Sequence, residues 1–191
     1  KESMSSIEDT IAAIATPPGR GGIAVVRVSG PLAKQAAKIL GDVDPKPRIA
    51  YFRKFKLQNE TIDEGLVLYF NAPNSYTGED VVEFQGHGGN LAPKRVLEAV
   101  ISIDGIRQAE PGEFTKRAFL NNKMDLTAAE AVEDLISAGS DSAAKAALSS
   151  LEGTFATNLN ELSDKITNFR VRLEGCLDFP EEHEDFYESG K

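Results

Sequence analysis

The hydrophobic rhythm of the chain changes near residue 110. Before it, apolar positions come in short runs separated by glycine, proline and polar turns. Ile23–Val28, Ala50–Lys56, Gly65–Phe70 and Val81–Phe84 read as strands. Gly65–Phe70 is apolar almost throughout, which predicts a central strand. A helix is predicted from about Pro31 to Leu40, with Pro31 suited to the first position and Gly41 closing it. A second runs from about Leu91 to Ile103 and ends at Gly105. Strands mixed with helices predict an α/β or α+β domain with a mixed sheet.

After a hinge-like Glu110-Pro111-Gly112 the pattern is all helical. Glu113–Leu120 is a short predicted helix, and Thr127-Ala128-Ala129-Glu130 matches a capping box that opens a helix to about Ser137. A long helical stripe follows: Leu148, Leu151, Phe155, Leu159, Leu162, Ile166, Phe169, Leu173 and Cys176. Their spacing alternates between three and four residues, as in a bundle or coiled-coil seam. Such a stripe needs partner helices, and the chain offers few. The expectation is therefore an incomplete helical bundle, either a piece of a larger protein or an oligomerising helix.

Composition narrows the class. The 191 residues are 41% hydrophobic and 27% charged, which suits a soluble globular chain with a real core. No apolar run approaches the roughly 20 residues that span a bilayer. Lys1-Glu2-Ser3-Met4 does not read as a signal peptide, and Met4 reads as the natural start. The single cysteine, Cys176, excludes an internal disulfide and fits a reducing compartment. Residues 1–123 carry 16 Lys and Arg against 15 Asp and Glu, whereas residues 124–191 carry 5 against 15. The second part is thus a poor candidate for gripping nucleic acid by itself.

The segment Ala15–Gly30, "ATPPGRGGIAVVRVSG", contains a literal G-x-G-x-x-A. A dinucleotide loop follows a strand and opens a helix. Here the glycines precede a strand, so that reading fails. No phosphate-loop G-x-x-x-x-G-K-[ST] occurs in the chain. Arg27 interrupts the apolar strand, and a buried arginine needs an anionic or accepting partner. The plainer reading is an edge strand with Arg27 in water, or an internal ion pair. In "VVEFQGHGG", Glu83 and Gln85 share one strand face and Val82 and Phe84 the other. A fixed carboxylate there can accept paired hydrogen bonds from an amidine-like edge, such as a guanidinium or a pterin. An ordinary polar sheet face is the alternative. His87 is a possible general base, more simply a structural loop histidine. His183, in "PEEHED", reads as part of a solvated acidic tail rather than a metal ligand. Lys116, Arg117 and Lys123 form a basic cluster that suits an anionic ligand or simply a solvated helix face. Cys176 lies on the helical stripe and reads as packing.

Four ordered blocks carry a resemblance: "DTIAAIATPPGRGGIAVVRVSG", "APNSYTGEDVVEFQGHGG", "RQAEPGEFTKRAFLNNKMDLTAAEAVEDLI" and "LDFPEE". Together they resemble the N-terminal part of the tRNA-modification GTPase family MnmE, also called TrmE, from Asp9 to about Phe186. The resemblance implies an α+β, aminomethyltransferase-like, folate-binding and dimerising domain over residues 4–122. It implies the first part of a central helical domain over residues 123–191. The family's Ras-like GTPase, with its GTP, Mg and K, would lie outside this chain, which is then expected to hydrolyse no GTP. Family members are cytoplasmic homodimers. With the FAD-dependent partner MnmG they modify C5 of the wobble uridine in certain tRNAs, using a one-carbon unit from a tetrahydrofolate derivative, 5-formyl- or 5,10-methylene-tetrahydrofolate. Family ligand positions match Arg27 in "VVRVSG", Glu83 in "VVEFQGHGG" and Lys123 in "LNNK". Glu83 would read the pterin edge, Arg27 and Lys123 the pterin oxygen or the glutamate tail, with the Pro-Pro-Gly-Arg-Gly-Gly loop as an approach to the site. The family's C-terminal cysteine segment is not matched, so Cys176 inherits no role. Two other classes remain at this level: a stand-alone aminomethyltransferase-like enzyme, for which only His87 offers acid–base chemistry, and a pure interaction module built on the striped helix.

Overall fold

The alternating first part of the chain builds one six-stranded sheet in the computed structural model, which describes residues 9–152 and 162–171. The strands are β1 (Thr10–Ile14), β2 (Ile23–Ser29), β3 (Tyr51–Leu57), β4 (Glu60–Phe70), β5 (Val81–His87) and β6 (Ile106–Gln108). The helices are α1 (Ala33–Gly41), α2 (Ala92–Ile101), α3 (Glu113–Leu120), α4 (Leu126–Ser137) and α5 (Asp141–Leu151). The sheet order is β3-β4-β5-β2-β1-β6. The β1–β6 pair is parallel and the others are antiparallel, so the sheet is mixed and the class is α+β.

Two strands are absent from the periodicity. β1 is alanine-rich and β6 is three residues long, so neither shows a β-propensity signal; pairing with neighbours makes them strands. β4 begins five residues before the predicted Gly65. Gln58 and Asn59 both take positive φ, 47° and 69°, as a two-residue hairpin turn demands, and β3 and β4 pair outward from it.

One sheet face is the core. Val26, Val28, Val82, Phe84, Val67 and Tyr69 alternate inward and meet Ala36, Ala37 and Leu40 of α1 and Val96, Ala99 and Val100 of α2. Each large apolar side chain buried this way contributes roughly 1.5–3 kcal/mol. Phe55 and Phe84 meet edge-on, with ring centroids 5.3 Å apart. Gly65 is required where β4 meets β5, because a Cβ there would lie 2.0 Å from the Gln85 carbonyl oxygen.

The chain divides into two units, Lys1–Met124 and Asp125–Lys191. In the second, α4 and α5 pack through small residues, with Ala128, Ala131 and Ala147 buried. The capping box predicted at Thr127 is displaced: Asp125 is the N-cap, in extended backbone, and its carboxylate accepts from the Ala128 N–H at 2.7 Å. Helix α5 starts seven residues before Leu148 and has its C-cap at Glu152, so Leu148 and Leu151 of the stripe belong to α5. Leu148, Leu162, Ile166 and Phe169 of the stripe are exposed. Phe155, Leu159, Leu173, Cys176 and His183 lie outside the described residues. Among the described residues no helix is long and apolar enough to cross a membrane.

Candidate functional site

The sheet face away from α1 and α2 carries the polar strip. Its register sets Ala13, Arg27, Glu83 and Leu68 side by side across four strands, and Val25, Gln85, Leu66 and Phe52 in the next row. Strand β2 is interior, so an edge-strand explanation of Arg27 is excluded. Arg27 instead pairs with Glu83: Nε donates to Glu83 Oε1 at 3.0 Å and Nη2 lies 2.9 Å from the same oxygen. Gln85 Nε2 donates to Glu83 Oε2 at 3.1 Å. The pair is half-buried, with side-chain exposures of 26% for Arg27 and 14% for Glu83. An ionised carboxylate has about four acceptor sites. Arg27 covers Oε1 and Gln85 takes one site on Oε2, so free acceptor capacity remains on Oε2. A ligand that pairs with both oxygens must displace an Arg27 hydrogen bond.

Two aromatic rings flank the guanidinium. Arg27 Cζ lies 5.3 Å from the Tyr76 ring centroid and 5.8 Å from that of Phe114. Tyr76 belongs to the loop between β4 and β5, Phe114 to the first turn of α3. The Tyr76 hydroxyl and Thr115 Oγ1 are 3.0 Å apart, and Asn121 Nδ2 donates to the Thr77 carbonyl at 2.8 Å, so loop and helix are tied together. Neither aromatic stands out in the sequence; an aromatic inside the turn-rich "NSYTGED" was the available signal for Tyr76.

A charged network holds this assembly on the sheet. Arg117, 1% exposed, faces three carboxylates: Nη2 lies 2.7 Å from Asp9 Oδ1 and 3.1 Å from Glu113 Oε1, and Nη1 lies 3.2 Å from Glu79 Oε1. Glu79 Oε2 accepts from Ser29 Oγ at 2.6 Å, on the same strand face as Arg27. Arg107 grips Glu113 with two parallel bonds, at 2.8 and 2.5 Å, and donates to Asp9 at 2.6 Å. The bonds from Arg107, with those from the Glu110 N–H and Arg117, overcome burial and hold the Glu113 carboxyl down at about 2. The basic cluster read around Lys116 and Arg117 therefore splits. Arg117 is consumed by internal carboxylates, while Lys116 is exposed.

Lys123 follows α3, and its backbone N–H closes on the Ala118 carbonyl at 2.8 Å. Its side chain crosses Gly78: a Cβ on that glycine, whose φ is +79°, would lie 3.0 Å from Lys123 Cγ. Arg27 and Glu83 are thus in direct contact, while Lys123 reaches the same loop as Tyr76 two residues on. His87 is elsewhere, at the exposed end of β5. Its Nδ1 lies 2.7 Å from Asp63 Oδ1, and its N–H donates to Asp63 Oδ2 at 2.9 Å. The hydrogen bond to Asp63 and its charge push the imidazole pKa above the usual 6.5. The Pro-Pro-Gly-Arg-Gly-Gly loop lines a different cleft, with Gly88–Asn90, Pro93 and Lys94, in which Arg27, Glu83 and Lys123 take no part.

Comparison with known proteins adds a family. The family model for "GTP-binding protein TrmE N-terminus" matches residues 10–123, and that for "MnmE helical domain" matches residues 126–191. Relatives named "tRNA modification GTPase MnmE" include those of Mannheimia succiniciproducens, 50% identical over 185 residues, and Shewanella amazonensis, 52% identical over 184. Each alignment covers 96% of this chain and 41% of the relative. The relative from Photobacterium profundum is 48% identical over 189 residues, 98% of this chain and 42% of its own length. The chain thus spans about two fifths of the curated relatives it matches.

Proposed function

The chain belongs to the TrmE/MnmE family, and from that premise we propose that its first unit binds a tetrahydrofolate derivative through Arg27, Glu83 and Lys123, within a homodimeric protein that modifies tRNA with the help of GTP. The observation that carries this reading is the Arg27–Glu83 pair, held on the open face of an interior strand between two aromatic rings. The residues fit the ligand. Glu83 keeps acceptor capacity on Oε2 for a pterin N–H, Tyr76 and Phe114 offer flat apolar surface, and Lys123 is a cation with an unpaired end among the described residues. When bound, the folate would supply the one-carbon unit destined for the uridine base. The chain's own residues would bind and orient it. Dimerisation through this unit is supported by exposed apolar side chains on the same sheet face: Phe52 is 62% exposed and Leu66 36%. GTP, Mg and K, the partner MnmG and tRNA belong to the proposed whole protein, located in the cytoplasm.

A stand-alone aminomethyltransferase is less well supported. It needs a base beside the folate carbon, and His87 stands at the exposed end of β5, four residues along the strand from Glu83.

The test is calorimetric titration with 5-formyltetrahydrofolate beside thermal unfolding. Ligand at about 100 times the dissociation constant adds roughly 2.7 kcal/mol, or about 5–10 °C for a chain of this size. Glu83→Ala is expected to weaken binding about 10- to 100-fold, the worth of hydrogen bonds to a charged acceptor. Unchanged affinity in a folded Glu83→Ala protein overturns the assignment.

A further inference from the structure

The glycine-rich loop that opens β2 lines a cleft of about 260 Å³. One wall is Thr16-Pro17-Pro18-Gly19 with Gly21 and the other is Gly88-Gly89-Asn90 with Pro93 and Lys94; Ile14, Ile23 and Ala24 close the base. The two loops touch backbone to backbone. Gly88 N–H donates to the Gly22 carbonyl at 3.2 Å, and a Cβ on Gly88 would lie 2.0 Å from the Gly21 oxygen. The second loop is further anchored by the His87 N–H on Asp63. Ile14 and Ala24 lie on the helix-covered side of the sheet, whereas Ile23 shares the open face with Arg27. Along β2, Ile23 is four residues from Arg27, about 13 Å.

The lining has a definite chemistry. Proline and isoleucine surfaces are flat and apolar, suited to a ring. No carboxylate is among the lining residues. Lys94 lines the cleft and Arg20 sits between two lining glycines. Both are exposed and neither makes an ion pair among the described residues. Asn90 adds an amide that donates and accepts. The cleft is smaller than the roughly 300–1,000 Å³ that takes a drug-sized molecule. It suits one planar ring with one anion beside it.

We propose that this cleft receives one nucleotide of a single-stranded RNA segment, its base against Pro17, Pro18 and Ile23 and its phosphate beside Lys94 and Arg20. Proteins read RNA chiefly at loops, whose bases splay out and lodge between aromatic or apolar side chains. The inference rests on the tRNA reading above but not on folate binding. A free mononucleotide shares the chemistry, and the test separates the two.

The experiment is amide NMR of the 191-residue chain titrated with a uridine-containing single-stranded pentaribonucleotide, uridine 5′-monophosphate and uridine. Expected is saturable binding of the pentanucleotide, with shifts at Gly19, Gly21, Gly88 and Gly89, and binding of the monophosphate above uridine. Lys94→Gln and Arg20→Gln are each expected to weaken RNA binding about tenfold, with a salt dependence shallower by about one charge. Added 5-formyltetrahydrofolate should not displace the RNA, and Glu83→Ala should leave its binding unchanged. Binding of the mononucleotide but not of the RNA overturns the RNA assignment. Displacement by folate assigns the cleft to the folate site and overturns the proposal, as does no shift at the cleft glycines. If the RNA binds and folate does not, the folate reading fails alone.

Discussion

Arg27 stands on an interior strand because Glu83 stands directly opposite it in register, and each charge offsets the other's desolvation. Removing one partner leaves the other half-buried and unpaired. Arg27→Met is therefore expected to lower stability in urea by about 1–2 kcal/mol, whereas Arg27→Met with Glu83→Leu recovers most of it and abolishes the proposed folate binding in titration. The histidine is a second test at this scale. Its folded-state pKa is raised, so the stability it adds is full below about 6.5 and is lost as pH rises through the raised value. An NMR titration of the imidazole should give a value above 6.5, and Asp63→Asn should return it toward 6.5. Partners of this kind were only partly legible in the chain. The alternation showed that Glu83 and Gln85 share a face, but Asp63 opposite His87, and Tyr76 and Phe114 around Arg27, depend on register and loop placement that periodicity does not carry.

At the scale of elements, strands of β-branched and aromatic residues announced themselves, and those built from alanine or three residues did not. The caps make a sharper distinction. Asp125, not Thr127, satisfies the first free N–H of α4. Asp125→Ala should cost about 1 kcal/mol in thermal unfolding, while Thr127→Ala should be near neutral. Gly65 marks a close crossing of β4 and β5. Gly65→Ala puts a methyl into the Gln85 carbonyl, so the strands must part, and a loss of at least about 2 kcal/mol is expected in urea unfolding, with the proposed folate site weakened through Gln85 and Glu83.

At the scale of the molecule, the first unit is tied shut by charge as well as by its core. Glu113 joins Arg107 and Arg117, and Asp9 and Glu79 complete the set around Arg117. The Glu113 carboxyl is depressed from 4.5 to about 2, so its contribution is full above pH 4.5 and vanishes as pH falls toward 2. The shift corresponds to at most about 3 kcal/mol. Acid unfolding followed by circular dichroism should steepen in that window, and Glu113→Gln should lower stability at pH 7 and flatten the acid limb.

The amino-acid sequence by itself determined the α+β class, the change to helices after residue 110, the sharing of a strand face by Glu83 and Gln85, and the family, because each is written in local pattern or ordered motif. Only the tertiary structure decided which charges meet. It paired Arg27 with Glu83, withdrew Arg117 from any ligand by burying it among Asp9, Glu79 and Glu113, and set the Pro-Pro-Gly-Arg-Gly-Gly loop against Gly88–Asn90 to form a cleft at the start of β2. Those outcomes follow from strand order and from contacts between residues up to about a hundred positions apart, such as Arg117 with Asp9 at a separation of 108. No local pattern encodes them; they are set by which face each strand buries and what must then neutralise the charges left beneath the loops.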